Sequence, residues 1–305
     1  MDPIAATGTV LTQELCTMPP SPAKLTPPVA ASTVKRLVLF TDSLINSGAN
    51  ITRSHGSSGT RLERAPLTPV SGVQSQCSSA SSSPSLTPLS QGQVASYPPS
   101  ALSHQLHKDA DVTAKLYILE RSHIDPAVVA QSVTALCHHL GLERIDHLVV
   151  SFNEPRYDLS SSDHGSQVTW PLPLEQMLGV WQALEQELTK GRVGDLGVCE
   201  FSPAQLALFS AHTKVAPAVN QITINPQSPV PQLLLHYCKT HGIDLQNNVD
   251  GADIVTPQDM HRVVEKLGLD QVTDQSLAPA WVVKYHTFLK HRAIVTNKGY
   301  IVCAQ

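Results

Sequence analysis

The sequence predicts an α/β chain made of repeated βα units around a mostly parallel sheet. Three observations point there. The first is a cap-then-proline dipeptide used four times, at Asp125-Pro126, Ser202-Pro203, Ser228-Pro229 and Thr256-Pro257. In each pair the first side chain can accept from a free helical N–H, and proline suits the first helical turn. The second is a run of matching glycines, Gly141, Gly191, Gly242 and Gly268, the residue that tolerates the left-handed backbone closing a helix. The third is that three of these glycines lead quickly into short apolar runs at 145–150, 193–198 and 243–245, the signature of strands buried on both faces. Counted from Leu37, seven or eight strand candidates alternate with helices, close to the eight of a (β/α)8, TIM-like barrel. No Gly-x-Gly-x-x-Gly follows any strand, so the dinucleotide-binding form of an open sheet lacks its phosphate turn.

The totals bound the class. The 305 residues are 41% hydrophobic, enough for a sizeable core, but only 15% charged, well under the usual quarter. That deficit points to a long uncharged polar segment. A net charge of −4 leaves no footprint for nucleic acid or an anionic membrane. The cysteines at 16, 77, 137, 199, 238 and 303 are scattered without a C-x-x-C, as in a reducing compartment. The first 28 residues carry Asp2 and no arginine, unlike a secretory or mitochondrial leader. No apolar run reaches membrane-spanning length. A soluble, cytoplasmic protein is expected.

Taken in order, residues 1–33 read as a disordered Pro/Thr/Ala-rich tail and 34–305 as the barrel. KRLVLFTD (35–42) is its first strand. From 54 to 100, Ser, Pro, Gly, Gln and Thr dominate without any period, too few apolar groups to offset chain entropy. A disordered insertion is therefore expected over 54–110. Its Thr68-Pro69, Ser83-Pro84 and Thr87-Pro88 pairs read as linker composition rather than as phosphorylation sites. KLYILE (115–120) is a strand, 125–140 a helix and 145–152 a strand. The next helix carries Trp181, Leu184 and Leu188 at helical spacing, one face to bury, and closes at Lys190 and Gly191. After the strand at 193–198, Ser202 and Gln205 form a capping-box pattern around Pro203. A helix at 230–241, a strand at 243 and a polar turn at 247–251 follow. Further helices are expected at 257–267 and 279–290. Two apolar runs, 293–295 and 300–303, flank Asn297-Lys298-Gly299, which reads as a hairpin turn.

From Lys115 onward several stretches resemble the aldo-keto reductase family. LGLERIDHLVVSF (140–152) is similar to that family's LGLDYVDLYLIHWP, KGRVGDLGVCEFSPAQL (190–206) to GKVRAIGVSNFSPEQL, and PAVNQITINP (217–226) to PAVNQVEYHP. The resemblance implies an aldo-keto reductase type of barrel. It also implies hydride transfer from a nicotinamide cofactor, with a tyrosine acid tuned by a lysine and a histidine and an orienting aspartate. Here those positions differ. Ser151 stands at the histidine's place, and His147, four residues back on the same strand, is out of its reach. Glu120 and Arg121 close the strand where the lysine belongs, while Lys115 opens it. Asp42 is followed by Ser-Leu-Ile-Asn-Ser rather than by a tyrosine, and Tyr97 lies in the Ser/Pro-rich stretch. On the cofactor side, Cys199 and Glu200 replace the Ser-Asn pair that holds the nicotinamide amide. Asn248 replaces the tyrosine that stacks on its ring, and Gln221 is retained. A carboxylate near a cofactor phosphate is unfavourable. The adenosine-phosphate grip is reduced to Thr296-Asn297-Lys298, with no arginine after Arg292.

A barrel of this ancestry without its catalytic residues resembles the glutamate–cysteine ligase regulatory (modifier) subunits, through TDSLIN (41–46), AKLYILE (114–120) and KGYI (298–301). That resemblance implies a subunit of glutathione biosynthesis with no catalytic residue, cofactor or metal of its own. Its partner in a heterodimer would be the ligase catalytic subunit, whose apparent glutamate affinity it raises while relieving feedback by glutathione. Ser151, Cys199, Glu200, Gln221 and Asn248 would then mark a vestigial pocket. The alternative is a divergent NADPH-dependent aldo-keto oxidoreductase, for which Gln221 and the barrel pattern speak. A scaffold whose Ser/Pro segment recruits partners is a third reading. His104, His107, His138 and His139 lack thiol or carboxylate partners at ligand spacing and read as surface histidines. Cys199 is either a redox-sensitive or a buried, inert thiol. Cys137 and Cys238 read as core, and Trp181 and Trp281 as packing residues on helices.

Overall fold

Nine strands form one mixed sheet in the computed structural model, which describes residues 37–41, 67–69, 110–120, 122–152, 168, 170–224, 230–248, 255–266, 278–290 and 294–305. The strands are β1 (Leu37–Thr41), β2 (Leu67–Pro69), β3 (Ala110–Ile118), β4 (Ile145–Ser151), β5 (Val193–Cys199), β6 (Val219–Ile222), β7 (Asp244–Asn247), β8 (Pro279–Leu289) and β9 (Ile294–Ala304). Their spatial order is β2-β1-β9-β8-β3-β4-β5-β6-β7. β3 to β7 are parallel neighbours. They are joined through α1 (Ala127–Leu140), α2 (Leu174–Thr189), α3 (Pro203–Ala211) and α4 (Gln232–His241). This half is the repeated βα unit that the punctuation requires, and the α/β class stands. β2, β1, β9, β8 and β3 pair antiparallel. Among the described residues no pairing joins β7 to β2.

The helix signals act as their chemistry suggests. The Ala127 N–H donates to Asp125 Oδ1 at 2.9 Å, and α1 closes on Gly141 with φ 66°. At α3 the Gln205 N–H donates to Ser202 Oγ at 3.2 Å and the Ser202 N–H to Gln205 Oε1 at 2.7 Å, a complete capping box. α5 (Pro257–Lys266) uses the same device, with the Asp259 N–H on Thr256 Oγ1 at 3.2 Å and the Thr256 N–H on Asp259 Oδ2 at 2.9 Å. Ser228 and Gly268 lie outside the described residues.

Alternation along the strands gives the sheet two faces. α1 to α4 cover one, over Leu116, Leu148, Val150, Leu196 and Val198. There Trp181, Phe201 and Phe209 meet edge to face at 5.3–5.4 Å between centroids. The Trp181 Nε1–H donates to the Val215 carbonyl at 2.9 Å. Cys137 and Cys238 are buried in this layer, as expected. On the opposite face Tyr117, Val282, Tyr300 and Val302 pack with Met260 and Val264 of α5.

Four expectations need correction. Residues 279–290 are not a helix: Pro279–Leu289 is strand β8. PAWVVKYHTFL is rich in β-branched and aromatic residues, and its proline takes the first strand position. Trp281 is consequently a strand residue, 1% exposed. Asn297-Lys298-Gly299 is not a turn but lies inside β9, opposite Thr287, His286 and Tyr285. Lys115 does not open its strand, because β3 begins five residues earlier at Ala110. Within the stretch read as an insertion, Leu67–Pro69 pairs with β1.

Candidate functional site

Strand register sets the site. Tyr117 lies opposite Ser151, Cys199 opposite Gln221 and Gln221 opposite Gln246. The Val150–Val198 pairing puts Ser151 and Cys199 in the same line. Directly opposed residues share a face. The carboxyl ends of β3 to β7 therefore present Tyr117, Ser151, Cys199, Gln221 and Gln246 in one row, at the end of a parallel sheet where ligands bind. Ser151 is 6% exposed and Cys199 is fully buried.

Just beyond β5 the chain makes a left-handed step. Glu200 has φ 59°, the one non-glycine residue with positive φ among the described residues. Such a backbone costs energy and persists only where surroundings hold it. Here they do: the Glu200 N–H donates to the Gln221 carbonyl at 2.8 Å. Glu200 Oε1 accepts from the Thr223 N–H at 2.9 Å and from its hydroxyl at 2.6 Å. Asn220, fully buried, completes the clamp. Its Oδ1 accepts from the Phe201 N–H at 3.3 Å and its Nδ2 donates to the Phe201 carbonyl at 2.8 Å. Sequence reading missed Asn220, although a polar amide inside an apolar strand is the signal for such a staple. Gln221 Nε2 donates to Gln246 Oε1 at 3.0 Å. Asn248 continues β7 by one hydrogen bond, its N–H on the Ile222 carbonyl at 2.9 Å.

Thus Ser151, Cys199 and Gln221 lie on neighbouring strands in one row, Glu200 directly follows Cys199, and Asn248 sits at the end of the next strand. Sequence reading also missed Tyr117. Lys115 and Tyr117 are two residues apart and so share a face. The Lys115 Nζ sits 5.0 Å from the centre of the Tyr117 ring, with both residues at most 7% exposed. The ammonium faces the ring, and the ring packs with Val255, Met260 and Val264. No histidine joins the row among the described residues. His147 lies at the amino end of β4, its Nε2 3.6 Å from Asp111 Oδ1 and its Nδ1 3.2 Å from Asp195 Oδ2. Tyr97, Asp42, Arg121 and Arg292 fall outside the described residues, as do His104 and His107. His138 is exposed, as expected. His139 is not a surface histidine: it bonds the Tyr285 hydroxyl at 2.9 Å, and burial, then His138, pushes its pKa down to about 4.

The nicotinamide cofactor implied by the sequence resemblance does not fit these residues. At the amide-holding position stands a carboxylate already engaged by Thr223, and the Gln221 amide donates to Gln246. Asn248 offers no π face for stacking. Among the described residues, no three His, Cys, Asp or Glu side chains converge as a metal site would require.

Comparison with known proteins places this row within a recognised segment. Residues 111–248 match the aldo/keto reductase family. That segment runs from β3 to the end of β7 and contains Ser151, Cys199, Glu200, Gln221 and Asn248, while β1, β8, β9 and α5 lie outside it. The chain is 24% identical over 206 residues to a Schizosaccharomyces pombe protein provisionally named a glutamate–cysteine ligase regulatory subunit, covering 64% of this chain and 71% of that one. It is 22% identical over 198 residues to the Homo sapiens glutamate–cysteine ligase regulatory subunit, covering 65% and 67%. It is 31% identical over 190 residues to the D/L-glyceraldehyde reductase of Hypocrea jecorina, covering 58% and 54%. The resemblance to the ligase regulatory subunits read from three short motifs therefore extends over about two thirds of the chain. No helix among the described residues is long and apolar enough to cross a membrane.

Proposed function

We propose that this chain is a non-catalytic regulatory subunit of glutamate–cysteine ligase. It binds the catalytic subunit in a cytoplasmic heterodimer, raises its apparent glutamate affinity and relieves inhibition by glutathione. The similarity to proteins named as that subunit, over about two thirds of the chain, carries the reading. The row at the strand ends supports it. Among the described residues no histidine joins Ser151 in the row, the Cys199 thiol is buried, and the Glu200 carboxylate is held by Thr223. Ser151, Cys199, Glu200, Gln221 and Asn248 are then a vestigial pocket, with no cofactor and no metal. A subunit of this kind acts by binding one conformation of its partner more tightly than another, and the coupling is reciprocal. The test is to purify the catalytic subunit with and without this chain. The expected result is a stoichiometric complex with a lower KM for glutamate and weaker glutathione inhibition. A complex that leaves both constants unchanged refutes the regulatory role.

A divergent NADPH-dependent oxidoreductase is the second reading, favoured by the reductase relative at 31% identity and by the Lys115–Tyr117 pair. Titrating the chain with NADPH separates the two. Saturable micromolar binding, together with aldehyde turnover that Tyr117→Phe abolishes, would reverse the ranking.

A further inference from the structure

We propose that the outer face of α3 and α4 is the surface that docks the partner, and that it meets an apolar patch edged by carboxylates. The partner's identity, the ligase catalytic subunit, rests on the regulatory reading above. The surface itself is argued from charge and exposure.

The chain as a whole is acidic, with 25 Asp and Glu against 21 Lys and Arg. From Phe201 through Ile243, however, it carries no Asp or Glu at all. Its cations there, Lys214 and Lys239, are exposed, as are His212, His236 and His241. The same stretch holds every exposed large apolar side chain among the described residues: Leu208 (37%), Val215 (37%), Val230 (43%) and Leu233 (54%). Leu208 lies on α3 and Leu233 on α4, and these helices are neighbours.

Single exposed apolar residues need no explanation, but their confinement to the acid-free stretch does. The fold has no use for them, because α3 buries Leu206 and Phe209 and α4 buries Leu234 and Cys238. α2, in the same helical layer, shows what an ordinary solvent face looks like here: its exposed positions are Glu175, Gln182, Gln186 and Thr189. On α3 the exposed companions of Leu208 are Ala204, Ala207 and Ala211, small enough to let another surface approach closely. Apolar anchors inside a charged rim are how interfaces divide affinity from steering. A second copy of this chain is a poor occupant, since a two-fold contact would set this positive face against itself. Carboxylates on the partner complete the rim.

The test measures the affinity of the full chain for the purified catalytic subunit over a range of salt. The double change Leu208→Ser, Leu233→Ser should weaken binding by on the order of tenfold or more. Lys214→Glu with Lys239→Glu should weaken it at low salt and flatten the salt dependence. Gln182→Ser with Gln186→Ser on α2 should leave it unchanged. Circular dichroism and the thermal midpoint monitor folding, and should the double serine variant unfold, the Lys-to-Glu pair decides alone. If wild type binds and the α3/α4 variants bind equally well, the surface is wrong while the regulatory reading stands. Wild type that fails to bind the catalytic subunit overturns that reading and this partner with it. A wild-type homodimer dissolved by the serine changes would overturn the proposal in favour of self-association.

Discussion

His139 is the residue whose ionisation the fold most clearly opposes. Its ring lies between Phe40, 5.0 Å away between centroids, and the Tyr285 hydroxyl, and burial holds its pKa near 4. An unfolded histidine titrates near 6.5. Between these values the unfolded chain binds the extra proton, so stability is complete above about pH 6.5 and falls as the pH drops towards 4. The shift corresponds to roughly 3 kcal/mol. Urea unfolding of wild type and His139→Gln should therefore converge by about that amount between pH 7 and pH 4; parallel curves would assign the acid sensitivity elsewhere. Glu187 makes a second case. Its side chain is 2% exposed, 2.8 Å from the Lys190 Nζ, with Arg192 Nη1 2.9 Å from Oε2 as a charge pair. Glu187→Ala removes the carboxylate that Lys190 and Arg192 share, leaving Arg192 with its bond to Thr134 Oγ1, and should cost about 2 kcal/mol, read as a lower urea midpoint with an unchanged slope. Neither role was legible in the sequence. Helical spacing marks Trp181 and Leu184 as buried but does not show which acid the fold buries, and for Glu185 the groups that justify it come from elsewhere in the chain. Glu185 accepts from the Lys214 and Val215 N–H groups at 2.8 and 2.9 Å.

Elements were legible where the signal is local. The Ser202–Gln205 capping box was readable because both halves of the device lie within four residues, and Ser202→Ala should remove about 1 kcal/mol of stability. A thermal midpoint unmoved by that change would mean solvent caps α3 equally well. Gly197 was less legible, since only its neighbour explains it. A Cβ there would approach the Val219 Cβ at 2.8 Å and its carbonyl oxygen at 3.0 Å. Gly197→Ala must therefore push β5 from β6 and should cost about 1–3 kcal/mol. The misreading of β8 has the same origin. Apolar residues at Ala280, Trp281, Val282 and Val283 fit a buried helix as well as a strand buried on both faces, and periodicity alone does not separate them. What decides is β3 on one side and β9 on the other. That partnership is invisible until the chain is folded.

At the scale of the molecule, the sheet divides into a parallel half that matches the reductase family and an antiparallel half that does not. The candidate row lies wholly in the first half, the half in which the resemblance singles out Ser151, Cys199, Glu200, Gln221 and Asn248. Tyr117 is in that half too, but what covers it comes from α5, outside the matched segment. The second half depends on β9, which is hydrogen-bonded to β1 and β8 at once. Removing residues 294–305 would take away Ile301 and Cys303 from one face and Tyr300 and Val302 from the other. Leu37, Leu39, Val282 and Val283 would lose their neighbours, and β1 would lose its main ladder. If the parallel half folds alone, the shortened chain should still unfold in one cooperative step. If the mixed sheet is one unit, as the shared strands argue, it should lose its cooperative transition and, on the proposed regulatory reading, binding to the catalytic subunit with it. The second outcome is expected, because burying apolar side chains on both faces of β9 at once leaves neither face intact without it.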